Sequence, residues 1–171
     1  MASLFPASQL RILPYNRLVL SFHAGMTAEK LLAEAQRIFD SVEPTAHPAP
    51  TSGRSCCMYV AGNWWRLGWT VAANASPIGR LDVSVLQDRL LGPILGIDDP
   101  RTSPRIAFLG GIRGTEELRQ RVDRGEAVAA FSMYPTTVSE MMAIADAGEI
   151  MPPKSTWFEP KLRSGLLIHC F

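Results

Sequence analysis

The sequence predicts an α+β fold: a mixed, largely antiparallel sheet with about four helices and hairpins at both ends. Two observations support this. Short apolar segments bounded by turn residues alternate with amphipathic segments of helical length, in the order β-β-α-β-β-α-β-α-β-α-β-β. Neighbouring strands without a helix between them pair as antiparallel hairpins, unlike those of a doubly wound sheet. The length of 171 residues fits one domain, which we assign to residues 1–171.

Residues 4–22 predict two short strands, because Pro6 and Pro14 interrupt a run of apolar and partly β-branched residues. Asn16 and Arg17 follow the second proline. Asn16 suits a turn, because its side chain bonds to nearby backbone, whereas Arg17 offers a fork for a carboxylate or phosphate. The sequence leaves both readings open. The first strand must pair with a later segment or with one that the chain lacks.

Thr27–Asp40 predicts the first helix, with Thr27 as its N-cap, since apolar residues recur on one of its faces. A proline-rich loop is expected at residues 44–54. Cys56–Val60 and Trp64–Val71 then predict a hairpin. We expect the tryptophans of this hairpin to pack in the core, although they would also suit base stacking.

A second helix is predicted over Arg80–Leu95, with Asp82 as the cap of its N-terminus and a kink or stop at Pro93. Its stripe of apolar residues predicts that one face is buried.

Ile106–Leu109 predicts a short buried strand that leads into Gly110, Gly111 and Arg113, and then into a helix over Thr115–Arg124. A glycine-rich turn before a helix N-terminus is typical of an anion site, where Arg113 would add a cation. Two glutamates in the first helical turn oppose this interpretation, because they would repel an anion.

Ala127–Met133 is the most apolar strand and is predicted to be central. Thr137 and Glu140 predict a capping box for the last helix. A final hairpin is expected between Thr156–Phe158 and Gly165–Cys170.

Composition excludes several classes of protein. The net charge of +1 gives no broad basic field, so we expect no nucleic acid partner. Apolar runs fall short of the roughly 20 residues that span a bilayer, so we expect no membrane insertion. Cys56, Cys57 and Cys170 make no disulfide framework, which predicts reduced thiols in a cytoplasmic protein. The three histidines are too scattered to predict a metal site.

The densest group of polar side chains surrounds Lys154, Ser155 and Thr156, which follow two prolines, and Lys161 lies seven residues after Lys154. Lysine and hydroxyl groups suit phosphate oxygens, and the prolines restrict the backbone. The alternative is a rigid loop that leads into an edge strand and faces water. The glycines of a P-loop are absent, and no residue is singled out as catalytic.

Four motifs resemble DUF1015, a bacterial and archaeal family of proteins of unknown function. They are the segments Leu13–Arg17, Gly79–Gly96, Gly110–Gly114 and Asp146–Lys161. The resemblance implies that the chain corresponds to the C-terminal half of longer members. Their N-terminal half, with an Asp-Gly-His-His-Arg motif, is similar to that of nucleotide-using ParB-like proteins, including a free serine kinase, and is not found in this sequence.

The resemblance implies a phosphate-handling part of a small-molecule kinase active in serine metabolism. ATP or ADP with Mg²⁺ would then be the cofactor. The clamp on phosphate would comprise Lys154, Ser155, Thr156 and Lys161, with Arg113 and Arg17 in support. The alternative is a non-catalytic module that completes the sheet of a partner, either a separate N-terminal half or a second copy of the chain.

Overall fold

A computed structural model describes residues 11–160. Its strands and helices are β1 (Arg11–Leu13), β2 (Tyr15–Val19), α1 (Ala28–Ile38), β3 (Ser41–Pro44), β4 (Ser55–Val60), β5 (Asn63–Gly68), α2 (Asp82–Leu86), β6 (Ile106–Gly110), α3 (Gly114–Asp123), β7 (Ala129–Met133), α4 (Val138–Asp146) and β8 (Trp157–Glu159). Six strands form one sheet in the order β3-β5-β4-β7-β2-β6, and β1 and β8 form a second, two-stranded sheet.

The predicted fold class is confirmed. The described part of the chain has four α-helices, and every strand pair in it is antiparallel. Strand β7 lies between β4 and β2 and is buried throughout, as expected for the most apolar strand.

The two strands at the N-terminus belong to different sheets. Strand β1 pairs with β8, whereas β2 lies between β7 and β6. Pro14 separates them, and a proline cannot donate a ladder hydrogen bond. The early strand therefore does find a later partner in the same chain. The expected C-terminal strand over Gly165–Cys170 lies outside the described residues.

The six-stranded sheet is covered on both faces, and each face has its own core. The larger core joins the side chains of Val19, Met58 and Phe131 to residues of α1 and α2. The smaller core lies on the other face, where Leu18 packs with Leu118 of α3. Because side chains alternate along a strand, neighbouring residues of β2 face different cores.

Two expectations are corrected by the structure. The predicted helix over Arg80–Leu95 is α-helical over Asp82–Leu86 alone, and a π-helical turn follows at Gln87–Leu91. In this wider turn a backbone N–H bonds to the carbonyl five residues earlier, as the Gly92 N–H does to the Gln87 carbonyl. The helix stops before Pro93, as predicted. The loop at residues 44–54 begins within β3, which ends at Pro44 on the sheet edge.

The two predicted helix caps are confirmed. Thr27 caps α1 by accepting the Lys30 N–H, and Thr137 with Glu140 forms the capping box of α4. Cys56 and Cys57 are free and buried, and burial raises the pKa of both thiols. No helix among residues 11–160 is long and apolar enough to cross a bilayer.

Candidate anion-binding site

Arg17 is a charged residue in the interior of the sheet. It lies on β2 opposite Phe108 of β6 and Phe131 of β7, and it therefore points to the face that carries the larger core. The residue is 4% exposed. A charge this deeply buried is uncommon in proteins unless it is paired.

The guanidinium of Arg17 meets backbone carbonyls rather than a carboxylate. Its Nη1 donates to the Tyr15 carbonyl, and its Nη2 donates to the Lys154 carbonyl at 3.3 Å. The ring centroid of Phe108 lies 5.7 Å from the guanidinium carbon. No aspartate or glutamate among residues 11–160 forms an ion pair with Arg17.

Burial lowers the pKa of Arg17 to about 10, with the nearby Cys56 acting in the opposite direction. The side chain thus keeps its charge at neutral pH. An uncompensated charge away from water costs free energy, and an anion nearby would offset that cost.

The segment around Lys154 is held in place by bonds to its own backbone and to Thr136. The Ser155 hydroxyl donates to the Pro152 carbonyl, and Thr136 Oγ1 donates to the Ser155 carbonyl at 3.2 Å. Lys154 has a φ of +56°, an unusual conformation for a residue with a side chain. Its exposed ammonium lies 5.5 Å from the ring centroid of Tyr15. The loop is therefore shaped before any ligand arrives.

A cavity of about 430 Å³ opens beside Arg17. This volume suits a small molecule. Its lining comes from β2 and β6, from the helical segment that starts at α2, from the turn before that segment, and from two loops. The residues are Arg17, Ile78, Val83, Ser84, Gln87, Asp88, Asp98, Asp99, Pro100, Arg101, Phe108, Pro152 and Pro153.

The cavity combines one buried cation with more accessible carboxylates. Asp88 and Asp98 are exposed, and Asp99 forms an ion pair with Arg101 at 2.9 Å. That hydrogen-bonded pairing lowers the pKa of Asp99. No cluster of three potential metal ligands occurs in the described part of the chain.

Helix α2 and the π-helical turn after it bring residues into this cavity that the sequence did not single out as a site. Ser84 of α2 and Gln87 and Asp88 of the π-helical turn recur at helical spacing on a segment that is largely apolar. Polar side chains on a stripe expected to be buried were the signal that could have found them.

The structure divides the candidate site residues into two groups. Arg17 contacts the Lys154 carbonyl, and Pro152 and Pro153 of the same loop line the cavity. Lys154, Ser155 and Thr156 do not line it, and Lys161 lies outside the described residues. Asn16 lies on the opposite face of the sheet.

The glycine-rich turn has a packing role. A Cβ on Gly110 would meet the Trp157 ring at 2.4 Å, and one on Gly111 would meet the Pro14 side chain at 2.6 Å. Close approach to neighbours therefore accounts for both glycines. Arg113 is exposed and does not line the cavity beside Arg17.

Asp82 forms a separate polar contact near the start of α2. The predicted cap is wrong: Leu81 holds the N-cap position, and Asp82 Oδ1 accepts the Arg54 backbone N–H at 2.9 Å instead. Burial raises the pKa of Asp82 to about 7, and the charge of Glu140 adds to the effect of burial.

We expect Asp82→Asn to flatten the pH dependence of stability. The folded protein holds a proton on Asp82 that the unfolded chain releases at lower pH, so stability should fall as pH rises from about 4 to 7. At pH 8 the variant should be more stable than the parent by roughly 1–3 kcal/mol, with little difference near pH 4. Urea unfolding across this range measures it, with exposed Asp146→Asn as control. Equal slopes for parent and Asp82→Asn would contradict the prediction.

Comparison with known proteins identifies relatives of this chain. A family model described as "Protein of unknown function (DUF1015)" matches residues 1–84. No curated protein matches. A solved structure of a free serine kinase in complex with AMP superposes with a TM-score of 0.54 at 12% identity, covering 89% of this chain and 55% of that one.

A conserved hypothetical protein from Pyrococcus furiosus gives a TM-score of 0.51 at 14% identity, covering 88% of this chain and 56% of its own. The chain therefore spans little more than half the length of these solved structures. At sequence identities this low, the superpositions establish a shared fold and nothing beyond it.

Proposed function

This chain is related to the DUF1015 family, and from that premise we propose that it is the phosphate-handling part of a kinase-like enzyme acting on a small molecule. The ligand would bind in the cavity beside Arg17. Nucleotide and small-molecule substrate are the proposed partners, with ATP or ADP and Mg²⁺ as the proposed cofactor.

One observation carries the proposal: the buried guanidinium of Arg17 has no carboxylate partner among the described residues. Arginine has five N–H donors in a planar fork. Two nitrogen atoms of Arg17 donate hydrogen bonds to backbone carbonyls of the protein. A phosphate or carboxylate group would satisfy both the remaining donors and the charge. A buried charge without an opposite charge beside it raises the free energy of the folded protein, so an anion that pairs with Arg17 would be stabilising.

Lys154 would supply the second cation of the clamp. The Lys154 carbonyl accepts a hydrogen bond from Arg17, which fixes the backbone, while the exposed ammonium remains available to a ligand. A lysine acts as a mobile point charge on phosphate oxygens. Thr156, which is half-buried, and Lys161, which lies outside the described residues, complete the proposed clamp. The Ser155 hydroxyl proton is already used within the loop.

The proposed kinase assignment is supported by the fold shared with the free serine kinase and by the buried cation Arg17 in the cavity wall. Phosphoryl transfer gains most of its rate from positioning and from stabilising the charge on the moving phosphoryl group. A Mg²⁺ carried by phosphates needs one or two carboxylates, and Asp88 and Asp98 line the same cavity. Reduced Cys56 and Cys57 fit a cytoplasmic enzyme.

The alternative is a non-catalytic module that completes a partner's sheet. An exposed first strand motivated this hypothesis, but β1 is paired with β8 and β2 lies inside the larger sheet. The described strands therefore do not favour the alternative, which becomes one outcome of the test below.

The test is a thermal melt of the chain alone and with ADP, ATP, AMP, serine or phosphoserine, each with and without Mg²⁺. We expect a nucleotide or phosphoserine to raise Tm, since a ligand at about 100 times its Kd adds roughly 2.7 kcal/mol. Lys154→Ala should weaken binding about fivefold, as expected for one exposed charge, and Lys30→Ala, an exposed lysine of α1, should not. A cooperative melt that no ligand shifts would favour the non-catalytic module.

A further inference from the structure

A second cavity lies on the other face of the sheet. Its volume is about 320 Å³, and it is lined by Pro14, Asn16, Ala49, Pro50, Gly111, Gly114, Thr115, Ser132, Met133 and Pro135. The proline-rich loop contributes one wall, and the start of α3 contributes another. No charged side chain is among these residues, so its polarity comes from amides and hydroxyls.

Asn16 presents an unpaired amide to this cavity. The residue is 2% exposed, and its Oδ1 accepts the Met133 backbone N–H at 3.0 Å. That bond fixes which end of the amide faces the strand, and it directs the Nδ2 group toward the cavity. Nδ2 can only donate, and it meets no acceptor among residues 11–160.

Ser132 adds a second buried donor without a partner. It lies on β7 next to Phe131, the residue opposite Arg17, so its side chain shares the face of Asn16. The residue is 2% exposed, and its hydroxyl forms no hydrogen bond with the described residues. Neither the Asn16 Nδ2 nor the Ser132 Oγ is fully sealed from solvent, so both are available to a molecule that enters the cavity.

The N-terminus of α3 supplies a third feature that favours negative charge. Thr115, in the first turn of this ten-residue helix, lines the cavity. A 3-10 turn over Gly111–Arg113 leads directly into α3, and the Gly114 N–H already donates to the Gly111 carbonyl. The start of the helix therefore contributes the positive end of its dipole. Of the two glutamates in the first turn, Glu116 accepts hydrogen bonds from Arg119 and Gln120, and neither Glu116 nor Glu117 lines the cavity.

We propose that this cavity binds an oxyanion, the phosphate or carboxylate group of a small molecule, through the Asn16 amide, the Ser132 hydroxyl and the N-terminus of α3. The two side-chain donors lie on the hydrogen-bonded neighbours β2 and β7, and α3 adds the positive end of its dipole. The lining carries no carboxylate that would repel an anion or balance the charge of a cation. The site is independent of the cavity beside Arg17, because the sheet separates them.

The test is a titration of the ¹⁵N-labelled chain with inorganic phosphate and, separately, with acetate, followed by amide NMR. We expect saturable shifts of the Asn16 side-chain amide and of the Gly114 and Thr115 backbone amides. The stronger of the two anions identifies the group that the site takes. Amide signals around Arg17 and Lys154 report on the other cavity in the same spectra. The two proposals can therefore be judged separately, because each cavity has its own set of signals.

Two variants probe the donors directly. Asn16→Asp keeps the oxygen that accepts from Met133 but replaces the amide donor with a carboxylate oxygen, which repels an anion. Ser132→Ala removes one hydroxyl with almost no change of shape. Each should weaken binding about tenfold or more, as expected for a buried hydrogen bond to a charged group, whereas the exposed Ser139→Ala should not.

The outcomes separate clearly. Saturable shifts in the parent that are weakened by Ser132→Ala support the proposal, even where Asn16→Asp fails to fold. Absence of saturable shifts at Asn16, Gly114 and Thr115 with both anions overturns it. Shifts that all variants retain equally also overturn it, because the ion would then bind elsewhere.

Discussion

Arg17→Met is expected to abolish binding of the nucleotide or phosphoserine that stabilises the parent. The change removes the buried charge and the fork but keeps a side chain of similar length. Loss of two charge-assisted hydrogen bonds corresponds to a weakening of about 100-fold or more. Isothermal titration with the parent and the variant measures the loss.

Although Arg17→Met should lose ligand binding, its free energy of unfolding without ligand should be similar to that of the parent or higher. The buried guanidinium lacks a carboxylate partner, so an apolar side chain should cost little or should stabilise the fold, despite the loss of bonds to the Tyr15 and Lys154 carbonyls. A binding residue that is neutral or unfavourable for folding is the pattern expected of a site held ready for an anion.

Arg17→Lys and Arg37→Met complete this experiment. Lysine keeps the charge but lacks the planar fork, so its affinity should lie between those of the parent and Arg17→Met. Arg37 pairs with Glu34 on the surface of α1, and its replacement should leave binding unchanged. If Arg17→Met unfolds the chain while Arg17→Lys is stable and binds normally, Arg17 is structural and the proposed site is wrong.

Phe131→Ala is expected to destabilise the fold by about 3–5 kcal/mol. Phe131 is fully buried on β7, next to both β4 and β2, and it belongs to the larger core. The ring cannot be replaced by neighbours without moving the centre of the sheet. Urea unfolding of both proteins, with equal slopes, gives the difference.

Ile112→Ala is the matched control for this stability measurement. Ile112 is also a large apolar residue, but it is 63% exposed, so its truncation should change the free energy of unfolding by less than about 0.5 kcal/mol. Similar costs for the two substitutions would mean that β7 is not at the centre of the core.

Local patterns in the sequence predicted most of the secondary structure. The apolar run of β7, the caps Thr27 and Thr137 and the short turn between β4 and β5 all act within a few residues. The π-helical turn at Gln87–Leu91 was not predicted, because its residues carry an ordinary helical pattern. Tertiary packing decides how tightly such a segment winds.

The candidate site was predictable as a set of residue types but not as a geometry. The sequence suggested Arg17 and Lys154 separately, and a bond across 137 positions brings them together. The pairing of β1 with β8 was equally distant in sequence. The aspartates of the cavity looked like turn residues, since nothing local indicates which loops meet above one strand.

Consecutive residues of β2 serve opposite sides of the molecule, which constrains how the gene can change. Asn16 faces one cavity and Arg17 the other, so inserting or deleting a single codon within Tyr15–Val19 would exchange them. The guanidinium would then point toward the start of α3, and the amide toward the apolar core. Point substitutions can modify either cavity alone, whereas a one-residue length change in this strand alters both in a single step.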